Sequence, residues 1–521
     1  MTSFLIIEER EDMSQRWKDK IMLPVELARL LENKKADGKK VVQCHGAFDL
    51  LHRGHLHQFE QAKTRGDILV ISITTDKFVA KGPDRPVFDQ NIRAEMVAAL
   101  ELVDFVTFSD APSSVDLIRL LRPDVYVKGQ SYADSVKDLS GKILLEKDAI
   151  ESVGGEMFFS QEKPIRSTPL LNNFIDPYPE IVLGYLDQIK KRYSFDQIVE
   201  MLDSLRRLKV LVIGEAIVDQ YDYVEPMDTS PKGGVIAMRH IDSELFAGGS
   251  LACANHIANF CSDVTLVSYL GSRDSHEKLI RASLAPNINP WFLVRDGFGT
   301  IVKKRQLDKS YFKKQSETYL FDDSPLSGDE EKELIGFLDT CLREFDLIFV
   351  IDYGHGFITD PVVRCLTEYS ECLAVNTQTN SANKGFNLIS KFPKVNYVCL
   401  DHFEIRLAMH DRVSSPVSMA QRLLKQSGAS AVAVTLGHMG SVIVNKDGSF
   451  TTPVFSKKVV DTVGAGDAFF STSSLCVASG LPTDLTGFVG NMTGALATTY
   501  IGNKIYIDKI MLLNFAKSLL G

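Results

Sequence analysis

Several features that would narrow the function of a 521-residue chain are missing from this sequence. The eight cysteines contain no C-x-x-C pair, and several lie in apolar runs, which predicts reduced core residues. No stretch approaches the roughly 18 consecutive apolar residues that a membrane helix needs. The first twenty residues also lack the apolar core of a signal peptide. We therefore expect a cytoplasmic protein that does not insert into a membrane.

An excess of basic residues is absent as well. The sequence has 58 lysines and arginines against 67 acidic residues, for a net charge of −9. This balance argues against a nucleic-acid-binding protein that relies on phosphate contacts. It leaves room for a local basic pocket that takes a small anionic substrate. The hydrophobic content of 45% is enough for more than one sizeable core.

Strand-like and helix-like patterns alternate along the chain, which predicts α/β architecture throughout. In the N-terminal part the predicted strands are 40–44, 67–75, 105–108 and 125–128. Their order with intervening helices predicts a doubly wound, Rossmann-like parallel sheet. A proline-punctuated break near 174–179 precedes a charged helical stretch, and strand patterns start again at 209. We predict a first α/β domain at 1–174, a helical linker at 175–206 and a second α/β domain at 207–521.

A tight glycine turn follows the first predicted strand. His52 and His55 stand three residues apart after this turn and are predicted to share one face of a helix. A helix N-terminus already favours anions, and imidazoles there would stabilise charge on the α-phosphate of a nucleotide during in-line attack. A metal pair is the alternative, although no third ligand of suitable type lies nearby in sequence.

A second glycine-rich turn, D-T-V-G-A-G-D, occupies residues 461–467. Gly464, Ala465 and Gly466 lead into a helical pattern, so backbone N–H groups gather where an anion is stabilised. Asp467 is placed to take a proton from a hydroxyl beside that anion. Backbone dipoles and one carboxylate are what phosphoryl transfer to an alcohol requires. The alternative is a glycine-rich turn with a solvated aspartate.

The N-terminal turn resembles the signature of the cytidylyltransferase-like nucleotidyltransferases, and the likeness covers about residues 20–173. In particular it is similar to the adenylyltransferase domain of the bifunctional heptose kinase/adenylyltransferase family. The resemblance implies that His52, His55 and a lysine matching Lys81 or Lys128 contact the triphosphate. It also implies further nucleotide or phosphate contacts at Gly46, Phe48, Asp49, Arg85, Gly129, Ser167 and Thr168.

The C-terminal turn closely resembles the second signature of the ribokinase-like (PfkB) sugar kinases, over about residues 207–520. The resemblance implies a three-layer α/β/α domain in which Asp467 activates the acceptor hydroxyl and residues 464–466 form an anion hole. Thr435, Gly437 and Gly440 match the strand–turn that lies against the nucleotide. The positions that match sugar-binding residues are Asp219, Gly248, Gly249 and Asp352.

Some positions depart from the heptose-kinase pattern. Ala252 stands where asparagine is usual, and Glu215 and Lys232 stand where aspartate and glutamate are usual. The family's V-D-P-K-G run is replaced by residues 375–380, which include Gln378 in place of lysine. Such exchanges alter charge near the nucleotide or phosphate. The order of the two domains is also reversed relative to the bifunctional family.

The leading interpretation is therefore a bifunctional enzyme that activates a sugar. One domain phosphorylates a sugar phosphate with ATP and Mg²⁺ at its anomeric hydroxyl, with no separate protein-held metal predicted. The other joins a sugar 1-phosphate to a nucleotide and releases pyrophosphate. One alternative keeps both reactions but uses another sugar or polyol phosphate and CTP; in another, one domain is only a binding or assembly module. The resemblance also implies a homo-oligomer.

Overall fold

The computed structural model describes residues 17–79, 82, 85–129, 142–161, 178–310, 313–456 and 459–520. The chain divides into two compact units. The first comprises Met1–Tyr178 with Leu513–Leu519 and Gly521, and the second comprises Pro179–Leu512 with Leu520. Among the described residues, no helix is both long and apolar enough to span a bilayer.

A five-stranded parallel sheet forms the centre of the first unit, in the order β3-β2-β1-β4-β5. Its strands are β1 (Val41–Gly46), β2 (Ile68–Thr74), β3 (Phe105–Ser109), β4 (Val125–Gly129) and β5 (Glu156–Ser160). Its helices are α1 (Pro24–Ala36), α2 (Arg53–Lys63), α3 (Gln90–Ala98), α4 (Val115–Leu121) and α5 (Lys142–Ser152). The first four strands lie where the sequence predicts them, to within two residues at each end.

Both faces of this sheet are covered. Every residue of β2 is buried, as expected for a parallel strand with helices on either side. Successive side chains of a strand point to opposite faces, so Val42 and Cys44 pack into one hydrophobic cluster and Val41 into another. The near-continuous apolar runs of the sequence are therefore explained by a two-sided core.

The second unit is built on a nine-stranded sheet in the order β10-β9-β6-β13-β14-β15-β16-β17-β18. Its strands are β6 (Lys209–Gly214), β9 (Asp263–Arg273), β10 (Ile288–Gly299), β13 (Leu347–Asp352), β14 (Leu373–Thr377), β15 (Tyr397–Asp401), β16 (Ala431–Thr435), β17 (Ser441–Asn445) and β18 (Gly448–Thr452). Strands β10 through β16 of this order run parallel. The last two strands are antiparallel and form one edge.

Helices of the second unit precede, connect and follow these strands. They are α6 (Glu180–Arg192), α7 (Phe195–Ser204), α8 (Ser250–Ala258), α9 (Glu277–Ser283), α10 (Gly328–Cys341), α11 (Asp360–Tyr369), α12 (His402–Ala408), α13 (Pro416–Ser427), α14 (Ala465–Ala478) and α15 (Thr483–Ala497). The last helix is α16 (Lys509–Leu520), of which Leu513–Leu519 belong to the first unit. Helices α6 and α7 lie in the stretch predicted as a linker. The Tyr185 hydroxyl of α6 hydrogen-bonds to the Asp484 carbonyl at 3.3 Å. The limits 1–174, 175–206 and 207–521 stay predictions.

A separate four-stranded sheet, in the order β12-β11-β7-β8, completes the second unit. It consists of β7 (Ala216–Thr229), β8 (Ile236–Gly249), β11 (Ile301–Asp308) and β12 (Lys314–Leu320). The sequence patterns did not predict this sheet. The reason is that the outer ends of β7 and β8 are exposed on successive residues, so they lack an alternating apolar pattern.

Candidate functional sites

The first candidate site lies at the carboxyl ends of β1 and β4. From β1 the chain continues through β2 and β3 on one side, and then returns to β4 on the other side. Open α/β sheets bind ligands in the crevice at such a reversal of strand order. Gly46 ends β1, while Lys128 and Gly129 end β4, so the topology brings these predicted residues to one place.

The two histidines are stacked at the start of α2. Their ring centroids are 3.9 Å apart with an interplanar angle of 22°, and Phe48 packs edge-on against His55 at 5.2 Å. The prediction that both lie on one helical face is wrong for His52, which is the N-cap and has extended backbone. Its Nδ1 accepts a hydrogen bond from the Gly54 amide at 3.1 Å. In a neutral His52 the proton is therefore on Nε2, which makes that nitrogen a hydrogen-bond donor.

Asp49 and Arg85 connect two loops of this site. The buried Asp49 carboxylate accepts hydrogen bonds from the amides of Val87 at 2.7 Å and Phe88 at 3.1 Å. Arg85 Nη1 lies 3.4 Å from the same carboxylate. These contacts make Asp49 an anchor for the 85–88 segment, and they place Arg85 beside the histidine turn.

The fully buried Arg93 of α3 anchors the same turn. Its guanidinium donates to the Ala47 carbonyl, to the Thr74 carbonyl at 2.9 Å and to Asp76 Oδ1 at 2.6 Å. An arginine with several donors in a rigid fork can join the ends of β1 and β2 in this way. The sequence motifs did not assign Arg93 a role in the site.

Lys128 has a carboxylate partner inside the first unit. Its Nζ lies 2.8 Å from Glu146 Oε2, and both side chains are nearly buried. Burial is the largest influence and favours a higher pKa for Glu146, but Lys128, His45 and Ser114 together hold that pKa below its usual value. A nucleotide phosphate at this place would therefore compete with Glu146 for the lysine. The predicted contacts Lys81, Ser167 and Thr168 lie outside the described residues.

The second candidate site lies at the carboxyl edge of the nine-stranded sheet and at the N-terminus of α14. Gly464 is the N-cap of α14, with a left-handed backbone conformation at φ +81°. A Cβ added there would overlap Asn503 Oδ1, so both the conformation and the space require glycine. The helix begins at Ala465, and the predicted anion hole of residues 464–466 is therefore its first turn.

Asp467 points its carboxylate at two neutral donors. Gln378 Nε2 donates to Oδ1 at 2.6 Å, and the Tyr353 hydroxyl donates to Oδ2 at 3.2 Å. The pKa of Asp467 is raised to about 6, mainly by burial and in smaller part by nearby Asp219. The two hydrogen bonds act in the opposite direction. A carboxylate with a pKa just below neutral is well matched to accepting a proton from a hydroxyl.

Asp219 of β7 is buried beside the glycine pair of β8. It forms an ion pair with Arg305 of β11, and Asn503 Nδ2 donates to its Oδ2 at 3.0 Å. A Cβ added at Gly248 would overlap this carboxylate, and Gly249 has a positive φ of +60°. Since Asn503 also touches Gly464, it connects the predicted sugar-binding aspartate with the predicted anion hole.

Asp352, at the end of β13, forms an ion pair with Lys391 and accepts the Gly354 amide at 3.0 Å. Burial raises the pKa of Asp352 to about 6, although Lys391 opposes this shift. Asp352, which is predicted to bind the sugar, is therefore already paired with a cation. It is the next residue, Tyr353, that contacts Asp467.

The predicted nucleotide-side turn follows β16. Thr435 pairs in register with Asp401 of the neighbouring strand β15. Gly437 and Gly440 both have positive φ, +58° and +90°, in the turn to β17. A Cβ added at Gly440 would overlap the Thr452 carbonyl, so glycine is needed for this tight return.

Sequence reasoning missed several polar side chains of the second site. They are Lys303, Arg305, Tyr353, Gln378 and Asn503. Lys303 pairs in register with Asp219, is 7% exposed, and lies over the ring of Tyr353 at 5.2 Å. Burial lowers the pKa of Lys303. The departure at Gln378 was the available signal for that residue, and the others are brought in by strands and loops that carry no motif.

Two family models match separate parts of the chain. Residues 44–173 match the family model described as cytidylyltransferase-like, and residues 364–509 match that of the pfkB family carbohydrate kinases. The bifunctional protein HldE of Gluconobacter oxydans is 36% identical over 170 residues, which cover 31% of this chain and 35% of that protein.

A longer match has lower identity. The bifunctional protein HldE of Koribacter versatilis is 25% identical over 297 residues, which cover 56% of this chain and 60% of that protein. Among solved structures, ribokinase from Thermotoga maritima aligns with a TM-score of 0.48 and 20% identity, covering 60% of this chain and 99% of its own. The chain thus spans between about a third and three fifths of these HldE relatives. Along the sequence, the region similar to the cytidylyltransferase-like family comes before the region similar to the pfkB family of carbohydrate kinases.

Proposed function

We propose that this chain is a bifunctional sugar-activating enzyme. Its PfkB domain phosphorylates a sugar phosphate of the heptose 7-phosphate type at the C1 hydroxyl with ATP. Its cytidylyltransferase-like domain transfers a nucleotidyl group to a sugar 1-phosphate, which yields an ADP-heptose-like product and pyrophosphate. The names of the HldE relatives and the two family matches support this proposal.

The arrangement of Asp467 carries the kinase half of the proposal. The carboxylate stands in the first turn of α14, where backbone N–H groups favour a phosphate. In the proposed step Asp467 takes the proton of the acceptor hydroxyl, whose oxygen attacks the γ-phosphorus while ADP leaves. Its pKa of about 6 leaves the carboxylate ionised at neutral pH and ready to accept that proton.

The stacked histidines support the nucleotidyl half. An oxygen of the sugar 1-phosphate would attack the α-phosphorus of a nucleoside triphosphate, and pyrophosphate would leave. This acceptor is already an anion at neutral pH, so the step needs donors that stabilise charge more than it needs a base. His52 and His55 can provide such donors at the N-terminus of α2, and Lys128 ends β4, the strand that pairs with β1.

Mg²⁺ is proposed to enter with ATP. This ion is commonly held by substrate phosphates and water together with one or two carboxylates. The described part of the chain has no group of three or more His, Cys, Asp or Glu side chains that could hold an ion by itself. Bound as the nucleotide complex, the ion would neutralise charge on the transferred phosphate.

Incubation with MgATP and heptose 7-phosphate tests the proposal, with the products followed by phosphorus NMR. We expect a heptose bisphosphate and, after phosphatase treatment, an ADP-heptose with release of pyrophosphate. Absence of both products would refute the assignment of heptose 7-phosphate as the substrate.

A nucleotide panel, read by pyrophosphate release from a sugar 1-phosphate, decides the donor. Gln378 stands where the heptose-kinase pattern has lysine, so other sugar and polyol phosphates should be tested alongside heptose 7-phosphate. A preference for CTP would replace the adenylyl assignment with a cytidylyl one. Absence of turnover in one domain only, with every acceptor and nucleotide, would instead favour a binding or assembly role for that domain.

A further inference from the structure

Three asparagines tie the loop after β14 to the loop after β13. Asn380 Nδ2 and Asn383 Nδ2 both donate to the Tyr353 carbonyl, at 2.8 and 2.7 Å. Asn387 Nδ2 donates to the Asp352 carbonyl at 2.9 Å. We call Asn380, Asn383 and Asn387 the asparagine brace.

The brace also holds the backbone of Gln378. Its carbonyl accepts from Asn383 at 3.4 Å and from Asn387 at 3.3 Å, while its amide donates to the Asp352 carbonyl at 2.8 Å. Asn383 and Asn387 are buried, so losing these hydrogen bonds would leave backbone groups unsatisfied away from water. Gly354 makes the close approach possible, because a Cβ there would overlap Asn383.

The two residues whose backbones the brace fixes are the two that donate to Asp467. Gln378 engages Oδ1 and Tyr353 engages Oδ2, so the plane of the carboxylate is set from both sides. Each carboxylate oxygen can accept a second hydrogen bond, which leaves room for an acceptor hydroxyl. The brace therefore acts on the carboxylate through two side chains rather than touching it.

We propose that Gln378 and Tyr353 are positioning residues for the base Asp467, held in place by the asparagine brace. The role rests on the proposed kinase function of that site. A glutamine is the informative element, because it gives Asp467 a hydrogen bond without a positive charge. The base is thereby oriented yet keeps more affinity for a proton than it would beside a lysine.

Several titratable groups surround Asp467, so its protonation depends on more than these two donors. They are Asp219 on β7, Cys253 on α8, Lys303 on β11, Tyr353 after β13, Cys399 on β15 and Glu404 on α12. Burial is the largest influence and raises the pKa of Asp467 to about 6. A cation introduced at position 378 would act directly on the carboxylate oxygen that Gln378 now contacts.

The test compares the pH dependence of kinase kcat in Gln378→Lys, Gln378→Met and Tyr353→Phe with that of the unaltered chain. The acid limb of this profile is the range in which kcat falls as the pH drops. Gln378→Lys should move it to lower pH by about one unit or more, since an opposite charge within contact distance lowers a carboxyl pKa by 1–3 units. Gln378→Met keeps the length but loses the donor, so the limb should move up and kcat should fall about tenfold. Tyr353→Phe should move the limb in the same direction by less.

A matched pair of asparagine variants tests the brace. Asn383→Ala should lower kcat with little change in KM and move the acid limb. Asn287→Ala serves as the control, because Asn287 also donates to two backbone carbonyls, those of Ala258 at 2.9 Å and Cys261 at 2.8 Å. If both variants lose thermal stability but only Asn383→Ala moves the limb, the brace has the proposed role. Equal pH profiles in both would overturn that role.

A measurement without turnover separates this inference from the kinase assignment. The side-chain carboxyl carbon of Asp467 can be followed by NMR in aspartate-labelled protein and assigned by its loss in Asp467→Asn. Its titration midpoint should fall in Gln378→Lys and rise in Gln378→Met. These shifts without any phosphorylated product would refute the kinase proposal and keep the positioning role. An unchanged midpoint in both variants would overturn the positioning role, whether or not the chain is a kinase.

Discussion

The two units place their candidate sites in the same way and equip them differently. In each, a glycine-containing turn follows the sheet and leads to a helix N-terminus, α2 in the first unit and α14 in the second. The first unit adds the stacked imidazoles of His52 and His55. The second adds the carboxylate of Asp467, which is half-buried and held by two neutral donors.

This difference follows from the acceptor that each site is proposed to use. A phosphate oxygen attacks without losing a proton, so charge-stabilising donors suffice and no base is needed. A sugar hydroxyl must lose its proton, so a base is required beside the anion site. The helix N-terminus is thus the shared element, and the side chain next to it distinguishes the two reactions.

The largest effect is expected from removing the base. Asp467→Asn keeps the shape and the hydrogen bonds but cannot accept a proton, so kinase kcat should fall by about 10³-fold. Pyrophosphate release in the nucleotidyl assay should stay unchanged. Asp447→Asn, at an exposed aspartate in the turn between β17 and β18, is the control. Kinase turnover that survives in Asp467→Asn would show that this carboxylate is not the base.

The reciprocal variant acts on the first unit. His55→Ala removes one of the two stacked imidazoles and should reduce nucleotidyl transfer by about 10²–10³-fold, in line with the loss of one charge-stabilising donor. Kinase activity should not change. His57→Ala, which alters a histidine of the same helix that pairs with Glu60 and has a side chain 36% exposed, should leave both activities intact. A loss of both activities in His55→Ala would show that the two sites are not separable.

The pH dependence should differ between the two reactions. At a pH below its pKa of about 6, the Asp467 carboxyl carries a proton and cannot take another. Kinase kcat should therefore fall as the pH drops through 6. Asp467 is not part of the nucleotidyl site, so that reaction should not share this limb. Measuring kcat for both reactions from pH 5 to 8 tests the contrast, and coincident acid limbs would contradict it.

A smaller effect is expected from crowding the acceptor pocket. Gly248→Ala would push a methyl group into the Asp219 carboxylate, a type of overpacking that costs about 1–3 kcal/mol. We expect KM for the sugar phosphate to rise about tenfold, since 1.4 kcal/mol corresponds to a factor of ten. Gly336→Ala is the control: it lies on α10 with open space around it and should stabilise the fold by about 0.5–1 kcal/mol. An unchanged KM in Gly248→Ala would separate Asp219 from sugar binding.

Local patterns predicted the parallel sheets and the two glycine turns. Apolar runs marked β1 to β4 and the renewed strand pattern at 209, where β6 begins, because buried parallel strands are apolar on both faces. The four-stranded sheet was not predicted, since exposed residues follow one another at the outer ends of β7 and β8. The N-cap position of His52 was also missed, because a histidine is an uncommon cap and no local signal marks it.

The contacts that define the second site depend on distant parts of the chain. Gln378 lies 89 residues before Asp467, and Asn503 lies 284 residues after Asp219. Motif spacing describes neighbours in sequence. These pairs form only once β14 lies beside β13 in the nine-stranded sheet and β7 lies beside β11 in the four-stranded sheet. The departure from the family pattern at Gln378 identified a position of interest but not its partner.

The most direct test follows both reactions on one sample by phosphorus NMR, with MgATP and heptose 7-phosphate first and phosphatase added later. The unaltered chain should form a bisphosphate and then a nucleotide–sugar with pyrophosphate. Asp467→Asn should form no bisphosphate but should still release pyrophosphate when given heptose 1-phosphate, and His55→Ala should do the reverse. Bisphosphate formation by Asp467→Asn at the rate of the unaltered chain would contradict the assignment of the carboxylate as the base.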